Sequence, residues 1–94
     1  MTVIRIEYEK NFSLEVRGHA GYAEPGKDIV CASVSTACNF LIAALSDVAF
    51  YEIGEGSFGF TCKAKRRFER IIDAALQILK DLEREFPQNV KIIY

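Results

Sequence analysis

Thr2-Val3-Ile4-Arg5-Ile6-Glu7-Tyr8, followed after Glu9-Lys10-Asn11 by Phe12-Ser13-Leu14-Glu15-Val16-Arg17, fixes the fold class. Apolar and polar residues alternate with period two in both runs, so each predicts a strand with one buried face. The short polar segment between them predicts a hairpin, and Gly18 ends the second strand. After a loop over 19–27, Asp28 is the expected N-cap of a helix. That helix carries Val30, Val34, Ala37, Cys38, Leu41, Leu45 and Val48 at helical spacing and is expected to run to about Val48. Phe50 to Ile53 predicts a third strand and Gly54-Glu55-Gly56-Ser57 a turn. Phe58, Phe60 and Cys62 alternate in a fourth strand. A second helix shows a stripe from Phe68 through Ile72, Leu76 and Leu79 to Phe86, and Pro87 closes it. Val90 to Ile93 predicts a last strand.

The order ββαββαβ predicts an α+β sandwich, a mixed or antiparallel sheet packed with two helices. The 94 residues are expected to form one domain, 1–94, with a core large enough to need no staples. The second helix is clearly amphipathic. The first is apolar nearly all round, with Ala43 and Ala44 on its other flank, so it is expected to bury more than one side. It lies either between sheet and second helix or in a subunit interface, and a homodimer is the favoured expectation.

Composition excludes several classes of function. The net charge is −1, and the twelve Lys and Arg form no basic stripe, so no direct nucleic-acid partner is expected. The aromatic Phe58 and Phe60 keep RNA binding as the weakest reading. Residues 29–46 carry no charge, but Ser33, Ser35, Thr36, Asn39 and Ser46 interrupt the run. A buried helix is expected there, with no membrane span. The N-terminus alternates from its start and lacks a basic-then-apolar leader, so a cytoplasmic location is expected. Three widely spaced cysteines, Cys31, Cys38 and Cys62, do not make a disulfide framework and fit a reducing compartment. Cys38 and Cys62 read as buried packing residues. Cys31 and Cys38 are ~10 Å apart along the helix, too far for one tetrahedral ion, so no metal and no cofactor are expected.

The chemistry concentrates at His19, the single histidine, and Cys31. With Asp28 as N-cap, Cys31 is the third helical residue, where the positive end of the helix macrodipole favours a thiolate. An imidazole beside it would accept the thiol proton. Amides of the helix start or of the loop would receive an oxyanion. The intervening loop holds Gly21, Pro25 and Gly26. It reads as a mobile segment that closes over substrate and brings His19 to Cys31. Asp28 caps the helix or orients His19 as a third triad member; one oxygen does not serve both. The bland reading is a buried small hydrophobe and a solvated imidazole, and spacing alone does not exclude it.

Gly18-His19-Ala20-Gly21-Tyr22-Ala23 followed by Gly26-Lys27-Asp28-Ile29-Val30-Cys31-Ala32-Ser33-Val34-Ser35 resembles the signature of the ribosomal-processing cysteine protease (Prp) family. That signature is G-H-A, a short glycine-containing loop, then G-x-D-I-V-C-A-x-V-S. The second half of the chain agrees by pattern and not by motif, and Thr36-Ala37-Cys38 departs from an ordinary aliphatic run. The resemblance implies a dimeric bacterial cytoplasmic peptidase. Its substrate would be the N-terminal extension of large-subunit ribosomal protein L-twenty-seven, cut after an aromatic residue. It implies a catalytic dyad of His19 and Cys31, with Asp28 and Ser35 as supporting motif positions. Ala20, Gly21, Tyr22 and Gly26 would form the substrate loop. The competing expectation is a non-catalytic ribosome-associated binding module of the same fold.

Overall fold

The computed structural model describes residues 1–24 and 26–94. The expected Pro25-Gly26 turn therefore falls partly outside the described residues. Five strands form one sheet in the order β3-β4-β2-β1-β5. They are β1 (Thr2–Tyr8), β2 (Asn11–Arg17), β3 (Ala49–Gly54), β4 (Ser57–Lys63) and β5 (Val90–Ile93). The β1–β2 and β3–β4 hairpins are antiparallel, and β4 joins them by pairing antiparallel with β2. Only β5 runs parallel to its neighbour β1, with Thr2 opposite Val90 and Ile4 opposite Ile92. The sheet is thus mixed, and the ββαββαβ sandwich is the observed architecture.

Period-two alternation sorts the side chains. Leu14 stands opposite Ile6 on β1 and Phe60 on β4, so these residues share one face. That face also carries Ile4, Phe12, Val16, Cys62, Val90 and Ile92, and all belong to the buried core. Phe58 and Phe60 lie on this covered face, with their rings stacked at 6.3 Å. They therefore offer no open platform for bases, which removes the feature behind the RNA reading. The opposite face is open and carries Arg5, Glu7, Ser13, Glu15, Glu52 and Thr61.

Helix α1 spans Ile29–Leu45 and buries one stripe: Val30, Val34, Ala37, Cys38, Leu41 and Leu45. Its other flank, including Phe40, Ala43 and Ala44, is exposed. Of the two expected placements, this removes the one between the sheet and the second helix; the two helices pack on each other over the same core. The hydroxyls in the charge-free run are accommodated locally. Ser33 Oγ donates to the Ile29 carbonyl at 2.7 Å and Thr36 Oγ1 to Ala32 at 2.8 Å. Among the described residues, no helix is long and apolar enough to cross a membrane.

The helix stops three residues before the expected Val48. Ser46 N–H still bonds to Ile42 O, but Val48 N–H bonds to Leu45 O, a tighter turn. Ala49 must already be extended to pair with Cys62. Arg66–Phe68 forms one turn of 3-10 helix, and α2 follows over Glu69–Glu85, burying Ile72, Ala75, Leu76 and Leu79. Phe86 leaves helical geometry at φ −125° and ψ 61°. A proline at 87 disfavours the α conformation in the residue before it.

Candidate active site

Cys31 owes its position to Asp28. The Asp28 backbone is extended, and its Oδ1 accepts from Val30 N–H at 3.0 Å and Cys31 N–H at 2.9 Å. Its Oδ2 accepts from Tyr22 N–H at 3.0 Å and Ala23 N–H at 3.4 Å. Asp28 therefore caps α1 and anchors the loop, and both oxygens serve backbone amides. The Cys31 amide bond, helped by those from Tyr22, Ala23 and Val30, holds the Asp28 carboxyl below the usual carboxylate range. The cap thus engages the Val30 and Cys31 amides of the helix start. Of the two expected sources of an oxyanion donor, helix-start amides and loop backbone, the loop is the one that places an amide on the sulfur.

The amide at the sulfur comes instead from the loop. Ala20 N–H donates to Cys31 Sγ at 3.4 Å. Ala20 is buried, and its carbonyl accepts from Asn89 Nδ2 at 3.0 Å. His19 precedes it and is exposed. Its ring lies over Gly56 in the β3–β4 turn, where a Cβ would stand 3.0 Å from Nε2. Gly18 sets this path. Its φ is +90°, and a Cβ there would meet the Met1 carbonyl oxygen at 2.5 Å. Only glycine tolerates both conditions. Gly18 N–H also donates to Gly56 O at 2.8 Å, tying the end of β2 to the same turn.

His19 and Cys31 line one cleft of about 190 Å³. Val16, Val34, Ile53 and Phe58 supply apolar walls, with Ser35 and Asn39 on the α1 side. Ser35 thus faces the cleft, whereas its neighbours Ser33 and Thr36 bond to their own helix. Cys38 is at the inner wall, and burial pushes its thiol up to about 12. Cys62 is likewise buried in the core, and burial raises its thiol too. Both behave as small hydrophobes.

The loop residues are divided differently. Ala20 touches the sulfur. Gly21 and Gly26 adopt left-handed φ of +70° and +86°, and Tyr22 turns to the end of α2, where its ring meets Phe86 edge-on at 5.3 Å. None of these four lines the cleft itself. The described part of the loop is pinned at Ala20, Tyr22 and Ala23. Sequence reasoning missed two contributors, the β3–β4 hairpin tip and Asn89. The hairpin tip reads only as a turn, and a single Asn after Pro87-Gln88 carries no motif.

A cysteine at a capped helix start, sharing a cleft with a histidine and touched by a loop amide, is an arrangement competent for thiol-nucleophile hydrolysis. The relatives agree at the level of family. The model of the cysteine protease Prp family matches residues 1–91. The ribosomal processing cysteine protease Prp of Bacillus subtilis (strain 168) is 30% identical over 102 residues, covering 95% of this chain and 91% of its own length. The chain belongs to the ribosomal-processing cysteine protease family, Prp. A crystal structure of the essential ribosomal processing protease Prp from S. aureus, in complex with a covalently linked product peptide, shares the fold. Its TM-score is 0.85 at 23% identity, covering 100% of this chain and 99% of the other. The same protease in complex with a substrate peptide gives a TM-score of 0.71 at 22% identity, with the same coverage.

Proposed function

We propose that this protein is an endopeptidase that removes the N-terminal extension of ribosomal protein L-twenty-seven, using Cys31 as nucleophile and His19 as base. The observation that carries the reading is the single cleft lined by both residues, with a backbone amide already on the sulfur. His19 takes the Cys31 proton, and the thiolate attacks the scissile carbonyl carbon. The Ala20 N–H turns from sulfur to the new oxyanion, which forms two bonds away from Sγ on the attacked carbon. Collapse expels the amine, protonated by His19, and leaves a thioester. Water, deprotonated by the same imidazole, then releases the acid and restores the thiol. Asp28 holds Cys31 and the loop in place and takes no proton in this scheme.

The apolar walls Val16, Val34, Ile53 and Phe58 suit an aromatic side chain on the acyl side of the cut. The working form is a cytoplasmic homodimer, supported by the exposed apolar flank of α1. The test is cleavage of a peptide spanning the junction between the ribosomal-protein extension and the mature N-terminus. Wild type should cut after the aromatic residue, and Cys31→Ala and His19→Ala should each lose at least about a thousandfold in kcat/KM. Equal cleavage by wild type and Cys31→Ala removes the assignment.

A further inference from the structure

We infer that Asn89, on the turn between α2 and β5, is a positioning residue that holds the Ala20 amide against the Cys31 sulfur. The inference rests on the cysteine-peptidase reading above and deepens it. Ala20 makes two polar contacts at its two ends. Its N–H donates to Cys31 Sγ at 3.4 Å, and its C=O accepts from Asn89 Nδ2 at 3.0 Å. Fixing the carbonyl fixes the backbone rotation at Ala20 on one side, and the buried methyl fixes it on the other. Together they hold the Ala20 Cα in place, so the N–H attached beside it stays within reach of the sulfur.

Asn89 itself is bolted to the sheet. Its N–H donates to Phe86 O at 2.9 Å, and its C=O accepts from Thr2 N–H at 2.9 Å. Thr2 is opposite Val90 in the β1–β5 ladder and also lines the cleft. The same turn offers the Phe86 ring to Tyr22. The α2–β5 turn is thus the seat of the active-site loop, and Asn89 is its directional contact. Replacing the amide NH2 by a carboxylate oxygen keeps the shape but places two acceptors face to face. The Ala20 carbonyl must then move away, and the shift this forces on the Ala20 Cα draws the attached N–H off the sulfur.

The experiment compares wild type with Asn89→Asp and Asn89→Ala in two assays, with folding monitored by circular dichroism. The first assay separates kcat from KM on the peptide substrate. The second measures the rate at which iodoacetamide modifies Cys31 at neutral pH, located by mass spectrometry of the Cys31 peptide. Asn89→Asp should lower kcat about tenfold with KM nearly unchanged, and slow alkylation of Cys31; Asn89→Ala should lose about threefold in kcat. Wild-type kcat and alkylation in both folded variants overturn the inference, as does a loss confined to KM or to thermal stability. If Asn89→Asp does not fold, Asn89→Ala decides on the same criteria. If wild type leaves the peptide intact, the substrate assignment fails, and alkylation alone decides the positioning role.

Discussion

Cys31 and Cys38 lie two turns apart on one helix and line the same cleft, yet their surroundings prepare them for opposite behaviour. Cys31 is half-buried, near the capped helix start, and receives an N–H from Ala20. Cys38 is 5% exposed, and burial pushes its thiol up to about 12. A buried thiol ionises only at higher pH than the same thiol unfolded, so the unfolded state gains as pH rises through the ordinary thiol range. The thiol's stabilising share is complete below about pH 8.5. It declines as pH rises toward 12, with a slope of up to about 1.4 kcal/mol per pH unit. Urea unfolding between pH 7 and about 10.5 should therefore show a shallower alkaline loss for Cys38→Ala than for wild type. Parallel curves for the two proteins would mean that Cys38 meets water more freely than its packing indicates. In the sequence the two thiols are separated by the Asp28 cap three residues before Cys31 and by the place of Cys38 on the apolar helical stripe.

The β3–β4 hairpin shows what an element contributes that its residues do not announce. Its turn places Gly56 under the His19 ring at φ +66°. Gly56→Ala should cost about 1–2 kcal/mol for the left-handed conformation. It should also shift the imidazole by a few tenths of an ångström, lowering kcat/KM about tenfold. Gly59→Ala on the same hairpin is the control, because nothing lies within 4 Å of its Cβ position. It should leave activity unchanged, and equal losses in the two variants would show a generally weakened hairpin. Period-two alternation made β1, β2, β4 and the inward placing of Phe60 and Cys62 legible from the sequence, because one buried face leaves one consistent register. The Asp28 cap was equally legible, because capping is local chemistry. Pairing of β4 with β2, and the resulting approach of Gly56 to His19, was not legible, since it depends on contacts some 37 residues apart (Gly56 minus His19). The end of α1 was misplaced for the same reason: Val48 fits the helical stripe, but the β3–β4 register claims the chain from Ala49.

At the scale of the molecule, the sheet has one covered and one open face, and the helical layer has a flank that none of the described residues covers. Along that flank Ile29, Ala32, Thr36 and Phe40 of α1 border Ile78 of α2 around a depression of about 550 Å³. Ile29 is 58% exposed, Ile78 43% and Phe40 38%. The small residues Ala43 and Ala44 continue the strip and permit a second helix to approach closely. Isolated exposed apolar residues are ordinary, but a contiguous strip bordered by polar groups marks an interaction surface. A two-fold related copy would lay α1 on α1 and bury the strip on both subunits at once. His19 and Cys31 lie on another part of α1's surroundings, in the cleft toward β3 and β4, so each subunit would keep its own site open. Light scattering after size exclusion at tens of micromolar should give twice the chain mass for wild type. Phe40→Glu, which brings two carboxylates into such an interface, should weaken the dimer by at least about 2 kcal/mol, or roughly thirtyfold in Kd. The monomeric variant should keep its circular dichroism and still alkylate at Cys31. A wild-type mass of one chain would remove the homodimer; a dimer indifferent to Phe40→Glu would place the contact elsewhere, and the open sheet face around Phe50, 82% exposed, is then the surface to mutate next.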